Sequence, residues 1–492
     1  MKKVSINLTE MSGSPVNSSL PQYVQLYQYI KDEIVAGKWQ DQARLPSVRK
    51  LADMLGLSTT PVEMAYQQLL AEGFILSQPR RGYFVQKLVD TPASVPNEPP
   101  PPQGRLLRRH HSYRYDFHMS KNDYSYFPLT EWKRAYNRCL QEDNISDLLF
   151  YGDPQGEGGL RYEIAKYARS MRGVSCSPEQ VVIGSDAYPL LELLGRLLRP
   201  YGNDFAVEDP GYPQYPELFK QNGFNIHPIS QKEDSIDQMQ LRASGATIVS
   251  VSPSHQFPTG KIMPISKRLE LLQWAQDCNG FIIEDDYDGE FRYYGRPIPC
   301  LQGLLPDSRV IYLGGFTQVL SPSIGIQYMI LPSILLNEYH HLKHHLFLEC
   351  TAPKLHQRTL ERFLRDGLVE RHLRRMRTML RKKHDAVISS IRKYFGKLAD
   401  ISGTGAGFHL ILSLQHPASE AELQTLAEER GIRVHSIEYT HIRRTQDPQY
   451  KSDNREFIVG FAGIAESDID EGIRRLAECW LQLPDASGDS RT

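Results

Sequence analysis

Residues 91–104, TPASVPNEPPPPQG, carry six prolines in fourteen positions. Proline has no amide hydrogen to give to a ladder and its ring blocks a continuing helix, so the stretch favours extended polyproline II and joins no packed core. It divides the 492-residue chain into two separately folding bodies joined by a semi-rigid spacer. The expected layout is a tail over 1–20, a first domain over 21–88, a proline-rich linker over 89–112, a second domain over 113–485 and a tail over 486–492. Just beyond the prolines, Arg105, Arg108, Arg109, His110 and His111 form a basic cluster. Such a cluster can follow DNA phosphates, although the solvated end of a linker is the plainer account.

Before the spacer, Tyr23, Leu26, Tyr27, Ile30 and Ile34 recur at helical spacing up to Gly37. A second helix starts at the N-cap Ser47, sets Val48, Leu51, Ala52 and Leu55 on one face, and stops at Gly56. Ser58 caps a third helix with Val62, Tyr66, Leu69 and Leu70 inward, closed at Gly73. Two short strands, 74–76 and 83–85, flank the turn Pro79-Arg80-Arg81-Gly82. Three helices and a basic-tipped hairpin make a winged helix-turn-helix, whose third helix can enter a major groove. Ser47 and Arg49 at a helix start, and Arg80 and Arg81 at the wing tip, suit phosphates. Ser58 caps the helix whose outward face offers Thr59, Thr60, Glu63 and Gln67 to base edges. The run LPSVRKLADMLGLSTTPVEMAYQQLLAEGFILSQPRRGYFV, residues 45–85, resembles the signature of the GntR family nearly position by position. The resemblance implies binding to double-stranded DNA; many members carry arginine where Thr59 stands, so affinity or sequence preference is expected to differ here.

Beyond Tyr113, helical patterns alternate with apolar runs at 181–184, 247–252, 281–284 and 310–314, the pattern of an α/β domain with a mostly parallel sheet. Five motifs follow in order: YGDPQGEGGLR (151–161), VEDPGYPQY (207–215), SPSHQFPTG (252–260), IIEDDYDGEFRY (282–293) and YLGGFTQVLSP (312–322). Together they resemble the fold-type I aminotransferase domain of the MocR/GabR branch of GntR regulators, with a large subdomain over about 160–345. The resemblance implies pyridoxal phosphate as cofactor, with Asp285 on the pyridine nitrogen, Tyr287 on the phenolic oxygen, and Tyr212 and His255 bordering the ring. Three departures argue against that cofactor and against catalysis. Thr317-Gln318 stands where the family has serine and its Schiff-base lysine, and an amide cannot become an imine. Gly325 replaces the phosphate-gripping arginine and Gly463 the arginine that takes a substrate carboxylate. Asp186 lies where neutral residues usually line the phosphate cup, and its charge would repel phosphate.

Formal net charge is −1, from 57 basic and 58 acidic residues, so any surface for nucleic acid must be local. Six scattered cysteines without a CxxC pair, and no apolar run long enough to span a bilayer, predict a cytoplasmic protein that neither enters a membrane nor is exported. His340, His341, His344 and His345 give two i, i+4 pairs, a spacing able to hold a metal, but polar positions on a helix account for them and no metal site is assigned. The basic run ERHLRRMRTMLRKKH (370–384) reads as a solvated, salt-bridged helix face rather than a DNA or partner surface. The preferred reading is a homodimeric DNA-binding transcriptional regulator whose aminotransferase-like domain serves dimerisation and binding of a small-molecule effector, without a catalytic residue. Its rivals are a pyridoxal-phosphate aminotransferase with a DNA-binding appendage, and a sensor that holds the cofactor non-covalently.

Overall fold

The computed structural model describes residues 20–87, 113–142, 144–295, 298–305, 308–346, 352–443 and 454–481. The proline-rich stretch, the basic cluster at 105–111 and the side chains of His344 and His345 lie outside the described residues. The chain forms two compact units, residues 1–110 and 111–492.

The first unit has three helices, α1 (Gln22–Val35), α2 (Val48–Leu55) and α3 (Thr59–Ala71), followed by β1 (Ile75–Gln78) and β2 (Gly82–Val85). Leu26, Ile30 and Ile34 of α1, Leu51 and Ala52 of α2, and Val62, Ala65, Tyr66 and Leu69 of α3 form its core. Ala65 takes the inward place expected of Leu70, which is half-buried. The Ser47 hydroxyl accepts from the Lys50 amide at 3.3 Å. Ser58 holds the N-cap position of α3, yet its side chain makes no capping bond. Gly56 has φ +63, the left-handed conformation that ends α2. The Tyr66 hydroxyl donates to the Pro46 carbonyl at 2.9 Å and its ring meets Tyr83 edge-on at 4.8 Å, tying α3 to both the preceding turn and the wing. The hairpin pairs Ile75 with Val85 and Gln78 with Gly82, each strand starting one residue from its expected place.

In the second unit the strands are β3 (Tyr115–Asp116), β4 (Val181–Gly184), β5 (Asp204–Asp209), β6 (Asn225–Lys232), β7 (Ser235–Ile236), β8 (Ile248–Val251), β9 (Phe281–Asp285), β10 (Val310–Gly315) and β11 (Gln327–Ile330). A smaller group follows: β12 (Ala399–Ser402), β13 (His409–Gln415), β14 (Ile432–Arg433), β15 (His435–Ser436) and β16 (Asn454–Gly460). The longer helices are α4 (Leu129–Glu142), α5 (Gly158–Arg172), α6 (Ala187–Leu198), α7 (Gln214–Gln221), α8 (Ile265–Asp277), α9 (Ser333–Leu346), α10 (Lys354–Arg365), α11 (Leu368–Phe395), α12 (Glu420–Glu429) and α13 (Glu466–Leu481). Eight strands form one sheet in the order β4-β11-β10-β9-β8-β5-β6-β7. β10, β9, β8, β5 and β6 are parallel, and β11 is inserted antiparallel between β10 and β4. Continuous apolar runs suit such strands because helices cover both faces. Phe205, Phe281, Ile283 and Ile311 pack on α6 and α7, while Ala206, Val249, Ile282 and Val310 face α8 on the other side. The smaller antiparallel sheet runs β12-β13-β16-β15. No helix among the described residues is long and apolar enough to cross a membrane.

Most cations of the basic run on α11 are exposed as expected, Arg371, Arg374, Arg375, Arg381 and Lys382 among them, but two turn inward. Lys383 is buried, with its Nζ 2.9 Å from Asp123 and 3.0 Å from the Ala462 carbonyl, and Arg377 donates to the Glu290 carbonyl at 2.6 Å. The helix is packed on one side by α13 and cannot keep every cation in water.

Arg172, the last residue of α5, is 1% exposed. Its Nε and Nη2 reach Asp286 at 2.5 and 2.9 Å, its Nη1 the Gly289 carbonyl at 2.9 Å, and its Nη2 also Ser254 at 2.8 Å. Removing one partner of such a pair strands a buried charge at a cost of about 3–5 kcal/mol. Arg172→Met should therefore lower the second unit's urea midpoint by a shift of that size, and adding Asp286→Asn should recover part of it. A loss below about 1 kcal/mol would show that water replaces the guanidinium.

Candidate functional site

Ser47, Arg49, Ser58, Thr59, Thr60, Gln67, Arg80 and Arg81 are all solvent-exposed in the first unit. Thr59, Glu63 and Gln67 fall at i, i+4 and i+8 on the outward stripe of α3, the arrangement a groove-reading helix needs. Arg80 sits in the turn with φ +62, at the wing tip. Arg81 instead lies over the Phe84 ring at 5.7 Å, so stacking orients it. Arg44, which sequence reasoning passed over, pairs its backbone with Phe84 and adds a further exposed cation to the wing. Nothing local in the sequence marks that bridge.

In the second unit four of the five motif loops converge at the carboxyl ends of the strands, and 151–161 is not among them. Asp285 ends β9, Gly315 ends β10 with Phe316-Thr317-Gln318 following, Tyr212 follows β5 and Asp186 follows β4. Ligands of open α/β sheets bind beyond the carboxyl ends of their strands. A cavity of about 570 Å³ opens there, lined by Asp186, Tyr212, Asp285, Tyr287, Thr317 and Gln318 among others. Five of the six expected pocket residues, Tyr212, Asp285, Tyr287, Thr317 and Gln318, thus share one wall system. The sixth, His255, is not in the lining. It is 2% exposed and drawn back behind Tyr287, with its Nδ1 2.8 Å from Asp288 and 3.1 Å from the Tyr287 hydroxyl. The carboxylate behind it, invisible as a partner in the sequence, decides its position.

At one end of the cavity Asp186 caps α6, accepting from the Ala187 amide at 2.7 Å. The Gln327 amide, at the start of antiparallel β11, bridges Asp186 at 3.2 Å and Thr317 at 3.1 Å. A helix N-terminus favours an anion, and here the chain supplies its own. Gly325 has φ +61, a backbone conformation that disfavours a side chain. A Cβ at Gly463 would overlap Lys121, so this position has no room for a longer residue without movement. Among the described residues lining the cavity there is neither lysine nor arginine.

Burial, with the charges of Asp286 and Asp288, pushes the Asp285 carboxyl up to about 7, although a hydrogen bond from Tyr215 opposes this. Behind it, burial likewise raises Glu208 to about 8. Across the cavity, burial and the neighbouring Arg433 and His435 hold His118 down to about 4, so its imidazole is neutral at pH 7. His118 and His435 meet edge-on at 4.7 Å. They and Tyr439 come from segments far from the five motifs, which is why sequence reading missed them.

Two family models match the chain, bacterial regulatory proteins of the gntR family over residues 22–85 and aminotransferase class I and II over residues 116–476. It is 38% identical to the HTH-type transcriptional regulator YdeL of Bacillus subtilis (strain 168), across 94% of this chain and 97% of that one. It is 30% identical to the probable rhizopine catabolism regulatory protein MocR of Rhizobium meliloti, across 95% of each chain. The chain belongs to the MocR-type branch of the GntR family. Its second unit has the fold of a Pyrococcus horikoshii kynurenine aminotransferase, with TM-score 0.66 and 21% identity over 75% of this chain and 91% of that one. The MocR-type regulator thus joins a winged helix-turn-helix to an aminotransferase fold.

Two measurements follow for this regulator. Arg49→Ala and Arg80→Ala should each weaken binding to all DNA sequences alike and flatten the salt slope by about one unit, as for phosphate contacts. A changed sequence preference at an unchanged slope would contradict that role. For Asp285, a carboxyl raised from 3.8 to about 7 on folding holds a proton that the unfolded chain has lost, so its contribution to stability falls as pH rises between these values. Asp285→Asn should therefore melt progressively higher relative to the parent from about pH 4 to about pH 7, with a constant difference above. Parallel melting curves of parent and variant across that range would refute the raised value.

Proposed function

We propose that this MocR-type regulator binds operator DNA as a homodimer and uses its aminotransferase-like unit as a non-catalytic module for dimerisation and for sensing a small molecule. The observation that carries the reading is the cavity lining, which offers Gln318 where an imine-forming lysine would stand and, among the described residues, no amine or guanidinium. An amide nitrogen is not a nucleophile, so the residues present cannot hold pyridoxal phosphate covalently. Nor do they fit its phosphate, because Asp186 with Gln327 and Thr317 already fills the anion-favouring helix end. The dimer reading is supported by the paired half-sites that helix-turn-helix proteins usually read.

The test is absorbance of the purified full-length protein after adding pyridoxal phosphate, with and without borohydride. The expected outcome is no reducible band. Gln318→Lys should form at most a weak, partial adduct, since Asp186 still repels the phosphate and Gly325 offers it no charge. A borohydride-trapped adduct in the unmodified protein, traced by peptide mapping to any lysine, would bring the aminotransferase reading back.

A further inference from the structure

The cavity also selects the chemistry of what enters it, an inference that rests on the second unit being a ligand-binding module. We propose that the cavity takes a small organic cation, a protonated amine on an aromatic or aliphatic body, and rejects anions of the same size. Its walls carry the rings of Tyr212, Tyr215, Phe257, Tyr287, Tyr328 and Tyr439. Aromatic faces attract a cation, and more strongly when it is desolvated. Its two acidic lining residues are Asp186 and Asp285, and among the described lining residues no lysine or arginine offsets them. The imidazole of His118 is neutral, so it supplies no compensating charge.

Among the described residues, the surroundings supply no free cation to offset the asymmetry. The guanidinium of Arg172 is committed to Asp286 and cannot reach a ligand, Asp288 is held by His255, and Glu208, lifted to about 8 by burial, is largely protonated. Tyr215 donates to Asp285, whose carboxyl, lifted to about 7 by burial, is divided between its two forms at pH 7; a bound ammonium favours the ionised form, and further lone pairs remain there for a donor from the cavity. An ammonium meets those lone pairs directly. A carboxylate or phosphate would lose its water beside like charges and find no cationic partner.

The test uses full-length protein, calorimetric titration and thermal shift, with 2-phenylethylamine as the cation, 3-phenylpropionate as the acid of matching size, and pyridoxal phosphate. The amine should bind at up to millimolar concentration and raise the melting temperature, and the two anions should do neither. Asp285→Asn, an isosteric change, should weaken the amine about tenfold or more, and Tyr212→Leu should weaken it as well. The proposal falls if either anion binds more tightly than the amine, if Asp285→Asn leaves the amine's affinity unchanged, or if the amine does not bind at millimolar concentration. Operator binding measured on the same preparation separates the two claims: a protein that binds DNA, traps no cofactor and ignores the amine refutes the cation specificity alone, whereas a borohydride-trapped cofactor refutes the sensing reading beneath it.

Discussion

The buried guanidinium of Arg172 organises the floor of the cavity. It joins the end of α5 to Asp286 and Gly289 in the loop after β9 and to Ser254 in the loop after β8, while the Tyr312 hydroxyl closes on Asp286 from β10 at 2.6 Å. A planar fork with several donors in fixed directions can bind separate chain segments at once, which a single ammonium does less well. Neither charge reaches water, so the geometry is held by the pair itself. Asp285 and Tyr287, which line the cavity, flank Asp286 in sequence.

Given that floor, the chemistry depends on what the strand ends present. Parallel strands deliver Asp186, Tyr212, Asp285 and Thr317-Gln318 to one edge, and the reversed strand β11 brings Gln327 to the same place. In this regulator the helix end that would welcome a phosphate is occupied by the side chain that caps it. Among its described lining residues the cavity holds amides, glycines and carboxylates, and neither lysine nor arginine. A sensor needs no more than that, since a ligand shifts a conformational equilibrium only by its difference in affinity for the two states.

Much of this was legible beforehand. The i, i+3, i+4 spacing of Leu26, Ile30 and Ile34, and the stops at Gly37, Gly56 and Gly73, place the first unit's helices within a residue or two, because local periodicity and backbone freedom act over single turns. Four of the five motifs mark loops that meet at the cavity, while 151–161 supplies no lining residue. The family resemblance named their residues, and those that line the cavity lie at or within a few residues of the ends of apolar strands. The resemblance set His255 beside the cofactor ring but does not reveal its partner Asp288, and the imidazole stands behind the cavity lining.

The sequence by itself determined two bodies separated by prolines, a winged helix with an exposed basic tip, an α/β unit, and the absence of an amine at position 318. Those properties are covalent or local, set by missing amide hydrogens, helical period and side-chain identity. Only the tertiary structure decided that His118, His435 and Tyr439 complete the cavity, that Gln327 bridges Asp186 to Thr317, that Lys383 is buried, and that Asp285 sits among carboxyls that push it towards neutrality. Each of these depends on which distant segments share a low-dielectric space, and charge, burial and contact there are properties of the packed chain, not of any one stretch of it.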